Sequence, residues 1–150
     1  MEITEALNNL DDELQDFLEF YDDTVTLDKM VYTFWDTKDI LGHITFWHES
    51  FARNLNDLAE GRKPDVLKGR LSEVNKRSVE STRLFSIDDL IDRLQAAPHT
   101  IKRQIHNDQI TLIPNKQGSR SYSRLEHLQI VIAHIKRHLK DLRKAHRLKK

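Results

Sequence analysis

Apolar residues recur at three- and four-residue spacing along most of this chain, the period of helices with one buried face. Ile3, Ala6, Leu7, Leu10, Leu14, Phe17, Leu18 and Tyr21 mark a first amphipathic helix, from about Ile3 to Tyr21. Ile40, Leu41, Ile44, Trp47, Phe51, Leu55 and Leu58 mark a second. It starts after Asp36 or Thr37, either of which suits an N-cap, and stops at Gly61. A third begins at a Ser86 N-cap and carries Leu90, Ile91, Leu94, Ala97, Ile101 and Ile105 to about His106. Pro98 falls inside this pattern and should remove one backbone hydrogen bond and kink the helix. The last helix opens with a capping box, Ser123-x-x-Glu126, and carries Leu125, Leu128, Ile132, Ile135, Leu139 and Leu142 towards His146.

The segments between these helices are less regular. Asp22 to Phe34 has the β-branched and aromatic residues of a short strand, but no second strand pattern exists to pair with it. It reads as a loop packed on the bundle. Gly61 to Gly69 is a turn-rich connection, and Arg70 to Arg83, with only Leu71, Val74 and Val79 inward, reads as a short surface helix. The stretch from Asn107 to Tyr122 is a long non-periodic crossover. Scarce glycine and proline, grouped mostly between periodic segments, punctuate an all-helical protein. The expected fold is all-α, a four-helix bundle with long crossover connections. One domain spans 1–146, and a basic tail occupies 147–150.

Composition narrows the class. The chain has 150 residues, enough for one real core, and its 38% hydrophobic content is too patterned for disorder. The 24 acidic and 24 basic residues cancel, but positions 1–30 are acid-rich and 136–150 strongly basic. Cations at a helix C-terminus complement its dipole. No aromatics interleave with them, so nucleic acid is not an expected partner. The absence of cysteine excludes a disulfide frame and a thiolate nucleophile or metal ligand. The N-terminus lacks a signal-peptide layout and no apolar run is long enough to span a bilayer, so a cytoplasmic protein without a membrane partner is expected.

The chemistry concentrates in the last helix. His134 and His138 are four residues apart, about one turn, so both rings can face one point. Helical projection puts His127, His134 and His138 beside the apolar seam. The same projection puts Glu126, Gln129, Ala133, Lys136, Arg137, Lys140 and Asp141 on the solvent side. On the second helix it makes His48 more central to the buried face than His43. Two imidazoles on one helix and a third from a facing helix can bind a divalent metal with an open fourth position.

The segment Trp35 to Phe51, "WDTKDILGHITFWHESF", resembles the DinB-like superfamily of four-helix bundles, and most closely its ClbS/DfsB branch. Weaker similarity extends over most of residues 1–140. The resemblance implies a divalent metal, zinc or nickel, held by His43, His134 and His138. It also implies hydrolase or thiol-transferase chemistry on a small reactive electrophile, as in detoxification or self-resistance. Many metal-binding members follow the second histidine of the last helix with Arg-Gly-Gln, whereas this chain has Leu139, Lys140 and Asp141. His48, Glu49, Tyr122 and His127 are the candidates for moving protons, and Trp35, Phe46 and Trp47 for lining an apolar pocket. The alternative is a non-catalytic small-molecule-binding protein, or a homodimeric scaffold without metal.

Overall fold

The structure, a computed structural model, describes residues 2–147. Five helices follow one another: α1 (Ile3–Phe20), α2 (Thr37–Ala59), α3 (Leu71–Glu80), α4 (Ile87–Gln104) and α5 (Arg124–Arg147). There is no strand among the described residues, only isolated bridges such as Ile113 with Tyr122. The long helices α1, α2, α4 and α5 form the bundle: α2 packs along α4, α1 along α5, and α2 also meets α5. Their apolar stripes merge into one core around Phe17, Ile40, Ile44, Phe51, Leu55, Leu94, Ile101 and Ile135. No described helix is long and apolar enough to cross a membrane.

The starts of α2, α4 and α5 are set by local chemistry. Asp36 caps α2: its side chain accepts from the Asp39 N–H at 2.8 Å, and the Asp39 carboxylate accepts from the Asp36 N–H at 3.0 Å. Ser123 and Glu126 make the corresponding reciprocal pair before α5, at 3.1 and 2.9 Å. Ser86 Oγ accepts from the Asp89 N–H ahead of α4. That helix continues six residues beyond Pro98, so the proline does not end it. The C-terminal part of α5 extends through Arg147; the remaining basic residues, 148–150, lie outside the described residues.

The segment at 70–83 departs from a simple surface helix. Val74, Ser78 and Val79 of α3 are buried, whereas Leu71, expected inward, is 56% exposed. The inward position that periodicity overlooks is Ser78, because a serine carries no apolar signal. Its burial depends on Gly42. A Cβ on Gly42 would lie 2.1 Å from Thr82 Oγ1 and 2.7 Å from Thr82 Cβ. The missing side chain lets the end of α3 close on α2 one residue before His43. The loop at 21–36 lies over the α2–α5 edge of the bundle. Val25, Leu27, Val31, Tyr32 and Trp35 pack against the core from it.

Candidate metal centre

His43 of α2 and His134 and His138 of α5 converge, with one ligand nitrogen from each within 4.8 Å of the others. His134 Nε2 lies 3.0 Å from His43 Nε2 and 3.0 Å from His138 Nε2. The projection of α2 favoured His48 as the more central ring, yet both are buried, at 2% for His43 and 1% for His48. The direction of the ring separates them. His43 turns towards α5, while His48 donates Nδ1–H to the Ile44 carbonyl of its own helix at 3.0 Å.

The neighbouring groups fix which nitrogen of His43 and of His138 carries hydrogen. Ser78 Oγ donates to the Asn75 carbonyl at 2.6 Å, so it must accept the Nδ1–H of His43, 2.8 Å away. Tyr32 donates its hydroxyl hydrogen to Asp141 Oδ2 at 2.5 Å, so it must accept the Nδ1–H of His138 at 2.9 Å. Both imidazoles therefore present Nε2 lone pairs towards His134. A hydrogen on His134 Nε2 can point along one of those directions, not both. One divalent cation can take all three lone pairs. Three imidazole nitrogens about 2.1 Å from a tetrahedral cation stand roughly 3.4 Å apart, close to the separations here. The three neutral rings suit zinc or nickel.

The electrostatics keep the rings neutral and ready to coordinate. Burial, then the neighbouring His134 and His138 and the Arg137 guanidinium, pushes His43 down to about 2. Burial, His138 and Arg137 push His134 down to about 3. Burial and Arg137 lower His138 to about 4, opposed by Asp141. Near neutral pH none of the three competes for a proton with a cation.

Aromatic residues flank the triad. The Trp35 ring centroid lies 4.7 Å from that of His43, and Tyr32 sits 5.8 Å from His138. Phe46 and Trp47, the other expected pocket residues, are engaged elsewhere. They pack on each other at 6.2 Å, and Trp47 Nε1–H donates to Asn75 Oδ1 at 3.0 Å.

The residues expected to move protons do not join the converging group. Glu49 forms a two-pronged ion pair with Arg93 of α4, at 2.9 and 2.5 Å. Tyr122 pairs its backbone with Ile113 and lies beneath the Arg120 guanidinium, 4.2 Å away. His127 stacks flat on Phe51, 3.9 Å between centroids with 8° between the planes. Both its ring nitrogens and Nε2 of His48 are buried without a hydrogen-bond partner. Burial lowers both rings to about 4, so this second pair is neutral near pH 7.

Tyr32, Ser78, Arg137 and Asp141 complete the surroundings of the triad without having been singled out in the sequence. The projection of α5 assigned Arg137 and Asp141 to solvent. The loop at 21–36 covers that edge and brings Tyr32 onto Asp141, which becomes half-buried. A usable signal existed for Asp141, since it follows His138 by three residues and so shares its face. No periodic signal marks Tyr32 or Ser78, because both come from segments outside the long helices.

The fold and the triad define an all-helical bundle with a histidine-lined centre between α2 and α5. The solved structures similar to it include mycothiol-dependent maleylpyruvate isomerase, with a TM-score of 0.74 and 13% identity over 95% of this chain. A histidine-to-alanine variant of that enzyme is similar too, with a TM-score of 0.73 and 12% identity. This chain spans 61% of the length of each. No family model matches the sequence, and no curated protein matches it significantly.

Proposed function

We propose that this protein is a metal-dependent enzyme acting on a small reactive electrophile, with zinc or nickel held by His43, His134 and His138. One observation carries the reading. Separate hydrogen-bond chains, through Ser78 and through Tyr32 and Asp141, aim the lone pairs of two rings at a third. Arranging three buried imidazoles in this way is unfavourable without a cation, because buried lone pairs are left facing one another. A bound divalent cation supplies Lewis acidity, which polarises an electrophile or acidifies a water or thiol.

The chain's own groups do the rest. Ser78 and Tyr32 hold the ligand rings in orientation. Trp35 excludes water from one side of His43. With no cysteine in the sequence, a sulfur nucleophile must come from a second substrate. The thiol dependence named for the structural neighbours supports thiol transfer as the reaction class. The ClbS/DfsB-like wording of α2 supports a detoxifying hydrolysis instead.

Metal analysis of untagged protein tests the reading. About one equivalent of zinc or nickel is expected, lost in His134→Ala. A preparation that takes up no divalent cation, and whose melting temperature does not respond to added zinc or nickel, overturns it.

A further inference from the structure

Arg137 stands three residues after His134 and one before His138, on the exposed edge of α5. Its guanidinium is aimed at the triad: Nη2 lies 3.4 Å from His138 Nε2. The natural helical partner of Arg137 is Asp141, four residues on. Asp141 accepts from Tyr32 instead, and Arg137 makes no ion pair with any described carboxylate.

This arrangement conflicts with a cation in the triad unless something else is present. Among the described residues, His138 Nε2 is the atom that faces the ligand centre and also the protein acceptor opposite the guanidinium. A cation that takes that lone pair leaves the guanidinium beside a like charge with no acceptor from the described protein residues. An anion satisfies both. A carboxylate suits the pair best, because one group can serve a cation and the planar N–H fork of an arginine at once. Trp35 and Tyr32 pack edge-to-face beside the triad, with ring centroids 6.0 Å apart.

We propose that Arg137 and the cation together form a carboxylate-binding site, so that the small molecule recognised here carries a carboxylate. The inference rests on the metal reading above and adds the ligand's chemical class. Arg137 determines specificity in this arrangement and is not a metal ligand.

Cobalt(II)-loaded untagged protein tests it, since visible absorption reports changes at the ion without any assay of turnover. Benzoate is expected to shift the spectrum saturably, and the neutral analogue benzamide to leave it unchanged. Arg137→Gln should take up cobalt to the same stoichiometry but bind benzoate about 10- to 100-fold more weakly, the loss expected for a charge-assisted bidentate contact. Arg137→Lys, which keeps the charge and loses the fork, should fall between the two. A cobalt spectrum that benzoate does not change, equal responses to benzoate and benzamide, or unchanged benzoate affinity in Arg137→Gln each overturn the carboxylate site alone. Wild-type protein that acquires no cobalt spectrum overturns the metal reading, and this inference with it.

Discussion

The hydroxyl of Tyr32 lies 2.9 Å from Nδ1 of His138 and gives its own hydrogen to Asp141. A phenol is thereby inserted between a carboxylate and an imidazole, and the direction of both hydrogen bonds is determined. Removing the hydroxyl frees the tautomer and orientation of His138. Tyr32→Phe should lower affinity for zinc or nickel about 10- to 100-fold, the usual consequence of losing a group that orients a ligand histidine. Competition against a chelator of known affinity measures this, and an unchanged affinity would show that the Tyr32 contact is incidental.

Ser78 has the same task on the other side of the triad. Ser78→Ala removes the acceptor for His43 Nδ1–H inside a buried site. A loss of about 1–3 kcal/mol in stability is expected from the orphaned donor. Added zinc should recover part of it by binding the folded state. Chemical denaturation with and without zinc checks both statements; Ser78→Thr, which keeps the hydroxyl, serves as the comparison.

Gly42 permits the contact that Ser78 makes. In Gly42→Ala the new Cβ would strike Thr82, whose hydroxyl is tied to the Ser78 carbonyl at 2.8 Å. The end of α3 must move away from α2, and Ser78 with it. Overpacking of this kind costs about 1–3 kcal/mol. Metal affinity should fall along with the midpoint of unfolding. A stable Gly42→Ala variant with normal metal binding would show that the approach of α3 is not needed.

The buried histidines make the protein acid-sensitive. His48 and His127, neither of them in the triad, are both held by burial at about 4. In the unfolded chain they take up protons near pH 6.5. A base whose folded pKa is depressed costs stability as pH falls, because only the unfolded state binds the proton. The loss starts below about pH 6.5, amounts to ~1.4 kcal/mol per pH unit for each such ring, and levels off near the folded value. Melting temperatures between pH 7.5 and 4.5 should therefore fall steeply below pH 6.5. His127→Phe keeps the stack on Phe51 and removes two unpartnered nitrogens, so it should flatten that fall. An equally steep profile in this variant would mean that His127 is not a source of it.

How much of this was legible beforehand differs between the scaffold and the site. The spacing of Leu128, Ile132, Ile135, Leu139 and Leu142 specifies the buried face of α5, and all five are buried. The capping residues Asp36, Ser86 and Ser123 lie where the helices begin. These are local relations, set by a 3.6-residue period and by side chains that reach backbone groups a few positions away. The i, i+4 relation of His134 and His138 belongs to the same class. Assignment of Arg137 and Asp141 to solvent came from the same arithmetic; it holds for Arg137 and fails for the half-buried Asp141, for a tertiary reason. A helical projection treats everything outside the apolar arc as water, whereas the loop at 21–36 covers part of that surface.

The helices, their buried faces and the pairing of two histidines on one turn were readable from the chain alone, because each depends on residues close together along it. The tertiary structure decided that His43 rather than His48 turns to meet them. The same packing sets which nitrogen of His43 and of His138 is free, and leaves Arg137 without a carboxylate among the described residues. Those outcomes depend on Ser78, Tyr32 and Asp141, which lie 35 positions from His43, 106 from His138 and 109 from Tyr32 respectively. Hydrogen-bond direction is a property of the assembled neighbours, and no periodicity within one helix encodes it.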